Sequence, residues 1–491
     1  MENTGRILHG LNPIARRILF GETADAAIDL ELEYSSEVDR AHVVMLAERG
    51  VITRAHASIL MNAINELRTC DFAPLRGQAA PRGLYLLYEN YLIEKLGPEI
   101  GGVLQTARSR NDLNATILYL RLRKPYLRLI KEALRLQAVL LRRSNEFVEV
   151  VMPAYTHYQA AVPITYGHYL AGIATALSRD LAGIFDAGSG LRRCPLGAGA
   201  VGGTSLPIDQ SRTASLLGFD EPAPHSIDAV ASRDIILRLL GAAAILGVTL
   251  SRLSADLLIW TTGEFGFIAL PDTLVGSSSM MPQKRNPFIL EHVQGRSASA
   301  LGAFVAAATA AHATPFTNSI AVGTEAVKHI WKALEEATEA TTLMRLLVDA
   351  GRPCRQSMLD RAIEGYTSAT ELANRLMVEG GMPFRLAHLT VGAIIRLAIE
   401  QGGSPLEQAA STALQAERAV SMEGLDPTAV ARRAIYGGGP GAVSLAACLK
   451  TVRAQSIAQI KRGRELAQKW RAAGLALDNA VKILCSNPNL S

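Results

Sequence analysis

Three stretches of this sequence carry residues able to do chemistry. The densest is "VGSSSMMPQKRNP", Val275 to Pro287, which gathers hydroxyls at Ser277, Ser278 and Ser279, an ammonium at Lys284 and a carboxamide at Asn286. Such parts can remove a proton beside a carboxylate and hold the charge that develops. No G-x-S-x-G elbow surrounds the serines, so a hydrolase nucleophile is poorly supported, and a Ser-rich loop taken alone is more often just a flexible polar loop. The second stretch, "QTARSRNDLNAT" (Gln105 to Thr116), packs a guanidinium, a carboxamide and hydroxyls at the head of a helical pattern, a corner suited to a carboxylate. The third, "MPAYTHYQAAVPITYGH" (Met152 to His168), sets Thr156, His157 and Gln159 directly after that helix. A lone histidine is more often structural, and only its company makes His157 a candidate.

The elements that must position these residues read as helices. From Asp112 to about Val151, Leu127, Ile130, Leu134, Ala138 and Leu141 step by three and four, while Arg128, Lys131, Arg135 and Arg142 fall off that stripe. The pattern predicts one long amphipathic helix kinked at Pro125. Asp228 to Trp260 contains no proline and is apolar nearly all round, so it must be enclosed by other helices or by another subunit. Ser297 to Thr324 carries no charge, but its Ala, Ser and Thr content and His312, Pro315 and Asn318 suit a buried bundle helix and a polar loop better than a membrane span. Asn286 and Pro287 read as a helix cap and first turn, leaving the serines on a loop that Gly276 and its small neighbours allow to move. "CPLGAGAVGGTSLPID" (Cys194 to Asp209) resembles a phosphate cradle, but no Lys-Ser/Thr follows and no strand pattern precedes it; an ordered loop near a site is expected instead.

Composition narrows the class. Of 491 residues, 49% are hydrophobic and only 5% aromatic, which suits packed helices of Leu, Ala, Ile and Val. The net charge of +5 is spread along helix faces without interleaved aromatics, so a nucleic-acid partner is not expected, while small anionic substrates are favoured. Five widely spaced cysteines suit a reducing compartment. The opening "MENTGRILHGLNPIARRILFGE" lacks a signal-peptide core, which predicts a cytoplasmic protein with no membrane partner.

In this order the three stretches resemble the fumarase/aspartase superfamily, whose signature loop reads roughly G-S-S-x-M-P-x-K-x-N. "SRND" at Ser109 to Asp112, "YTHYQ" at Tyr155 to Gln159, "PLGAGAVGGTSLPID", "SRD" at Ser232 to Asp234, "EFGF" at Glu264 to Phe267 and "MPQKRNP" look most like its argininosuccinate lyase branch. "ATELANRL", "GMPFRLAH" and "LDPTAVARRAIYGGG" extend the likeness to Gly439. The resemblance implies an all-α, three-domain subunit, here 1–111, 112–363 and 364–491, whose central long helices form the 20-helix core of a homotetramer. Each active site is then shared by three subunits, with no metal and no organic cofactor. Counting three places back from Met281 makes Ser278 the catalytic base, although the triple serine leaves Ser277 and Ser279 open. Lys284 and Asn286 would stabilise an aci-carboxylate, and His157 paired with Glu291 would act near the leaving nitrogen. Ser109, Arg110, Asn111, Thr156, Gln159, Arg233, Ser279 and Met281 would bind the substrate.

The match fails where the branch reads its substrate. Its H-T-G/A-R-S-R-N-D-Q becomes Gln105 and Leu113 at the ends, its E-D-x-H becomes "RGLY" (Arg82 to Tyr85), and its Y-N-K-D-x-Q-x-D-K-E becomes "FTNSIAVGTE" (Phe316 to Glu325) with Phe316, Ala321 and Thr324 at polar positions. Losing buried polar partners costs several kcal/mol of discrimination. The expected reaction is therefore carbon-nitrogen elimination from an N-substituted aspartate such as ethylenediamine-disuccinate, giving fumarate and an amine. Argininosuccinate cleavage is the second reading, and a catalytically silent structural protein on the same fold the third.

Overall fold

The computed structural model describes residues 12–20, 25–80, 83–414 and 420–486, and it is mostly helical. The main elements are α1 (Asp25–Glu48), α2 (Arg54–Thr69), α3 (Leu84–Leu96), α4 (Arg110–Glu146), a hairpin of β1 (Val151–Thr156) and β2 (Gln159–Thr165), α5 (Tyr166–Ala187), α6 (Asp234–Trp260), α7 (Phe288–Ala311), α8 (Ile330–Ala350), α9 (Arg355–Glu364), α10 (Ala369–Val378), α11 (Phe384–Glu400) and α12 (Ala442–Ser486). Among the described residues, strands form only three two-stranded pairs. Arg82 lies outside the described residues.

Helix α4 begins at a capping box: Ser109 caps it and Asp112 returns a bond to the Ser109 N–H. It runs unbroken through Pro125 and stops at Glu146, short of Val151. Arg128, Lys131, Arg135 and Arg142 are exposed as expected, but Ala138 is exposed too. Of the expected stripe Ile130 and Leu141 are buried and Leu127 and Leu134 half-buried, while Leu122, Tyr126, Leu129, Ala133, Leu136 and Leu140 are buried as well, because α5, α8 and α12 all pack on α4 and together cover a wider face.

The pattern starting at Asp228 splits into a short helix, Ser226–Ala231, and α6. The break is held by buried Arg233, whose Nη1 donates to the carbonyls of Val230 (2.6 Å) and Ser232 (2.8 Å). Helix α6 is long and apolar enough to cross a membrane, yet here it packs against α5, α7 and α8. The approach to α7 is close: a Cβ on Gly247 would stand 2.5 Å from the Ser297 carbonyl oxygen, so only glycine fits there. The outer faces of α6 and α7 leave Ile245, Val248, Leu301 and Val305 exposed. Neither helix is enclosed by its own chain alone, which for α6 leaves the second of the two expected coverings, another subunit, and for α7 departs from the expected buried bundle helix.

One hydrophobic cluster runs from Ile28 to Met358 and takes in Leu445 to Leu484; a smaller one is confined to Leu372 to Leu425, built by α10, α11, the short helix Leu406–Leu414 and Leu425. Thus α12 leaves the small cluster and returns to the first helices, where Asp478 pairs with Arg40 at 2.6 Å and Trp470 stacks under the Arg123 guanidinium at 4.9 Å.

A buried polar cluster braces the start of α4. The side chains of Arg108 and Asp39 form a fully buried ion pair, and the same guanidinium nitrogen reaches the Tyr85 hydroxyl. Burial pushes the Asp39 carboxyl up, and the Arg108 charge opposes it. Beside them His42 donates Nε2–H to the Thr106 carbonyl at 2.8 Å. Burial, reinforced by Arg108, depresses this imidazole to about 3, so it stays neutral in the fold. In the unfolded chain it titrates near 6.5, so the neutral imidazole's contribution is whole above pH 6.5 and is lost as the pH falls from there toward about 3. The slope is up to about 1.4 kcal/mol per pH unit. His42→Gln keeps an N–H donor and removes the titration, so its urea stability should decline less steeply across that window. Parallel declines for parent and variant would exclude His42 as the cause.

Candidate active site

The corner at the head of α4 is organised by one carboxylate. Asp112 Oδ1 accepts the N–H groups of Ser109 (2.9 Å) and Leu113 (3.0 Å), and Oδ2 accepts those of Gly197 (3.0 Å) and Gly199 (2.9 Å). Burial pushes the Asp112 carboxyl up, and the backbone donors of Ser109, Gly197 and Gly199 hold it back. The glycine-rich segment is the expected ordered loop, its Gly197 and Gly199 amides turned to the chain's own Asp112. Gly199 has φ +61° and a Cβ there would meet the Gly203 carbonyl at 2.8 Å. Ser109 Oγ accepts the Asn111 N–H at 3.2 Å, and Asn111 Oδ1 accepts Nδ2–H of Asn318 at 3.0 Å. Arg110 is exposed at this corner, and Leu113 turns into the core.

His157 sits on a β-hairpin that periodicity did not reveal. Thr156 pairs with Gln159, leaving His157 and Tyr158 as a two-residue turn with φ +50° and +60°. Such turns favour Asn-Gly; side-chain-bearing residues held left-handed cost roughly 1–2 kcal/mol each. Strain of this kind persists where the surroundings enforce it. Here Tyr155 packs against Phe265 and Phe267, with ring centroids at 5.9 and 6.5 Å, so the "EFGF" segment supports the hairpin. Thr156, His157 and Gln159 are all exposed.

The serine loop is closed at its base by Gly276 and Asn286, which exchange backbone hydrogen bonds of 2.8 and 2.7 Å. That pairing corrects the expected cap: Asn286 is committed to the bridge, its Nδ2 reaches the Ser277 carbonyl at 3.4 Å, and Pro287 occupies the cap position of α7 without a side-chain bond. Arg285 braces the loop through the Leu270 carbonyl (2.9 Å) and Asp272. Ser278 Oγ accepts the N–H groups of Met280 (3.3 Å) and Met281 (3.0 Å). Two amides aimed at one hydroxyl oxygen favour its ionised form. Ser279, Met281, Lys284 and Glu291 are exposed.

These groups do not converge within one protomer. Asn111 and His157 flank the two ends of α4, whose 37 residues span about 55 Å. The 24 residues of α7, about 36 Å long, likewise lie between the Ser278 loop and the Asn318 loop that touches Asn111. The Ser278 loop and the hairpin share an end: Ala269 pairs with Arg352, the Gly351 carbonyl accepts from Arg143 near the end of α4, and the Phe267 carbonyl accepts the Cys354 N–H at 2.8 Å. No ion pair joins His157 to Glu291 in the protomer. Arg233, expected on the substrate, spends its guanidinium on its own backbone, as described above. Sequence reasoning gave no role to Asn318, Arg285, Tyr155 or the Asp39–Arg108 pair; Arg108, Tyr155, Arg285 and Asn318 all lie inside quoted stretches, whereas Asp39 had no local signal.

Long helices bearing three polar loops at opposite ends fit the lyases of the fumarase/aspartase type. Comparison with known proteins agrees: the family model described as Lyase matches residues 36–302, and that of the argininosuccinate lyase C-terminal region matches residues 366–430. An argininosuccinate lyase of Methanothrix thermoacetophila is 36% identical over 373 residues, 76% of each chain. An EDDS lyase variant solved with bound fumarate superposes with TM-score 0.85 at 28% identity, covering 99% of this chain and 98% of that one. A class II fumarase of Schistosoma mansoni, 18% identical with TM-score 0.66 over 82% of this chain and 89% of its own, shares the fold. The chain belongs to the argininosuccinate lyase branch of the fumarase/aspartase superfamily and is a carbon-nitrogen lyase.

Single Ser→Ala replacements should separate the serine triplet. Ser278→Ala should lower kcat on the order of a hundredfold to ten-thousandfold, the range for loss of a general base, with Ser277→Ala and Ser279→Ala much milder. A dominant loss at 277 or 279 would reassign the base.

Proposed function

We propose that this enzyme splits an N-substituted aspartate, specifically an aminopolycarboxylate such as ethylenediamine-disuccinate, into fumarate and an amine, and runs in reverse. Ser278, its oxygen held by the Met280 and Met281 amides, takes the proton from the carbon beside a carboxylate. Lys284 and Asn286 stabilise the resulting aci-carboxylate, the largest electrostatic contribution to the rate. Its collapse expels the amine, with His157 and Glu291 of different subunits acting near the leaving nitrogen. Ser109, Arg110, Asn111, Thr156, Gln159, Ser279 and Met281 hold the carboxylates; Arg233 is better read as a structural tie.

The separation of Asn111 from Ser278 and His157 supports a homotetramer whose sites draw on three subunits. The exposed apolar faces of α6 and α7 are the matching surface for its helix core. We describe the subunit as units 1–111, 112–363 and 364–491, with α12 packed back on the first two, and place it in the cytoplasm.

The observation carrying the choice of substrate is the loop beside Asn111. Phe316 and Ile320 are 68% and 71% exposed, and Ala321 follows where the branch has glutamine. Apolar side chains there suit a variable amine, and the likeness to EDDS lyase over 99% of the chain agrees. The 36% identity to an argininosuccinate lyase favours argininosuccinate as the second reading. A silent structural role is disfavoured by the retained Ser278, Lys284, Asn286, His157 and Glu291.

Ultraviolet absorbance of fumarate, followed with argininosuccinate and ethylenediamine-disuccinate in parallel, tests this. The expected result is a rise with ethylenediamine-disuccinate only. A rise with argininosuccinate only would make the protein an arginine-pathway enzyme.

A further inference from the structure

Asn318 lies in the "FTNSIAVGTE" stretch where the match to the branch fails, on the loop between α7 and the wide turn Ala321–Glu325. Its Nδ2 stands 3.0 Å from Asn111 Oδ1. At the other end of the Asn111 carboxamide, Nδ2 donates to the Ala200 carbonyl at 3.4 Å. A backbone carbonyl only accepts, so it fixes which way the Asn111 amide points: nitrogen to Ala200, oxygen to Asn318. Asn318 must then offer its NH2 group. With the reverse orientation, the Asn111 oxygen would face a carbonyl oxygen and two acceptors would oppose each other.

This arrangement leaves the Asn111 NH2 with one hydrogen on Ala200 and a second free for an incoming oxygen. We infer that Asn318 is a positioning residue for the substrate carboxylate, locking Asn111 so that it meets the anion with an N–H and not with its oxygen. The inference rests on reading Asn111 as a carboxylate ligand. The turn that follows is ordered: the Gly323 N–H bonds the Ser319 carbonyl at 2.8 Å, and the Val322 N–H reaches Ser319 Oγ at 3.4 Å. A Cβ on Gly323 would stand 3.4 Å from Asn318 Oδ1, so the glycine keeps that side of the amide clear.

Asn318→Asp is nearly isosteric but offers only acceptors when ionised, which invites the Asn111 amide to flip. A protonated aspartic acid regains a donor. Fumarate binding by calorimetry to the intact enzyme should therefore weaken roughly tenfold or more in this variant at about pH 8, and the defect should shrink only as the pH approaches about 4, where the carboxyl takes its proton. Asn318→Ala should show a defect without that pH dependence. KM for the N-substituted aspartate should rise more than kcat falls. Because Asn318 acts through Asn111, either change made on top of Asn111→Ala should cost less than about twofold more. Parent-like binding by Asn318→Asp, a defect independent of pH, or additive losses in the cycle would each overturn the inference. Should Asn318→Asp not fold, the alanine cycle decides. Turnover of the parent reports on the proposed function, whereas fumarate binding by the variants reports on Asn318, so each can fail alone; a parent that binds no fumarate overturns both.

Discussion

The carboxylate of Asp112 is the point on which the rest of the structure depends. It starts α4, fixes the Ser109 to Asn111 corner and gathers the glycine-rich loop through the amides of Gly197 and Gly199. A buried carboxylate is unfavourable unless its lone pairs are filled, and here backbone donors from two distant segments fill them. Those donors would otherwise be unmet themselves, so loop and helix start satisfy each other. Beneath this knot the Arg108–Asp39 pair and the neutral His42 close off water. The polar corner therefore rests on a rigid base instead of a mobile loop.

The second constraint is length. A helix of 37 residues separates its two ends too far for both to serve one small substrate. The chain carries donors for an anion at one end and the serine loop with its histidine hairpin at the other, and each end is built to modest local precision. The outer apolar stripe of α6 and α7 links this separation to the proposed tetramer: helices as long as those that part the groups also offer the surface on which protomers would be laid side by side.

Much of this was legible in the sequence, because long helices announce themselves by period and the motif residues lie close together in the chain. The exposed cations of α4, the loop character of the serines and the fold class all followed from local pattern. The hairpin did not, because its strands are short, each contains a proline, and its turn uses His157 and Tyr158 in a conformation usually given to Asn and Gly. Asn286 misled because the Asn-Pro signal is local, while the Gly276 bridge that outweighs it spans the whole loop. Arg233 misled because a guanidinium near a motif looks the same in sequence whether it faces substrate or its own backbone. The Asp39–Arg108 pair and the Asn111–Asn318 bond join residues 69 and 207 positions apart, and no periodicity records such partners.

The return of α12 has a consequence for how the chain is made. Residues Leu477, Val481 and Leu484 share a cluster with Ile28, Leu60 and Ile64, and Asp478 supplies the counter-charge of Arg40. The first helices to leave the ribosome thus lack part of their packing until the last helix has been synthesised. The face that α12 covers stays open while the intervening helices are synthesised, a setting in which nascent chains rely on chaperones. The topology turns completion of translation into a checkpoint on the N-terminal core.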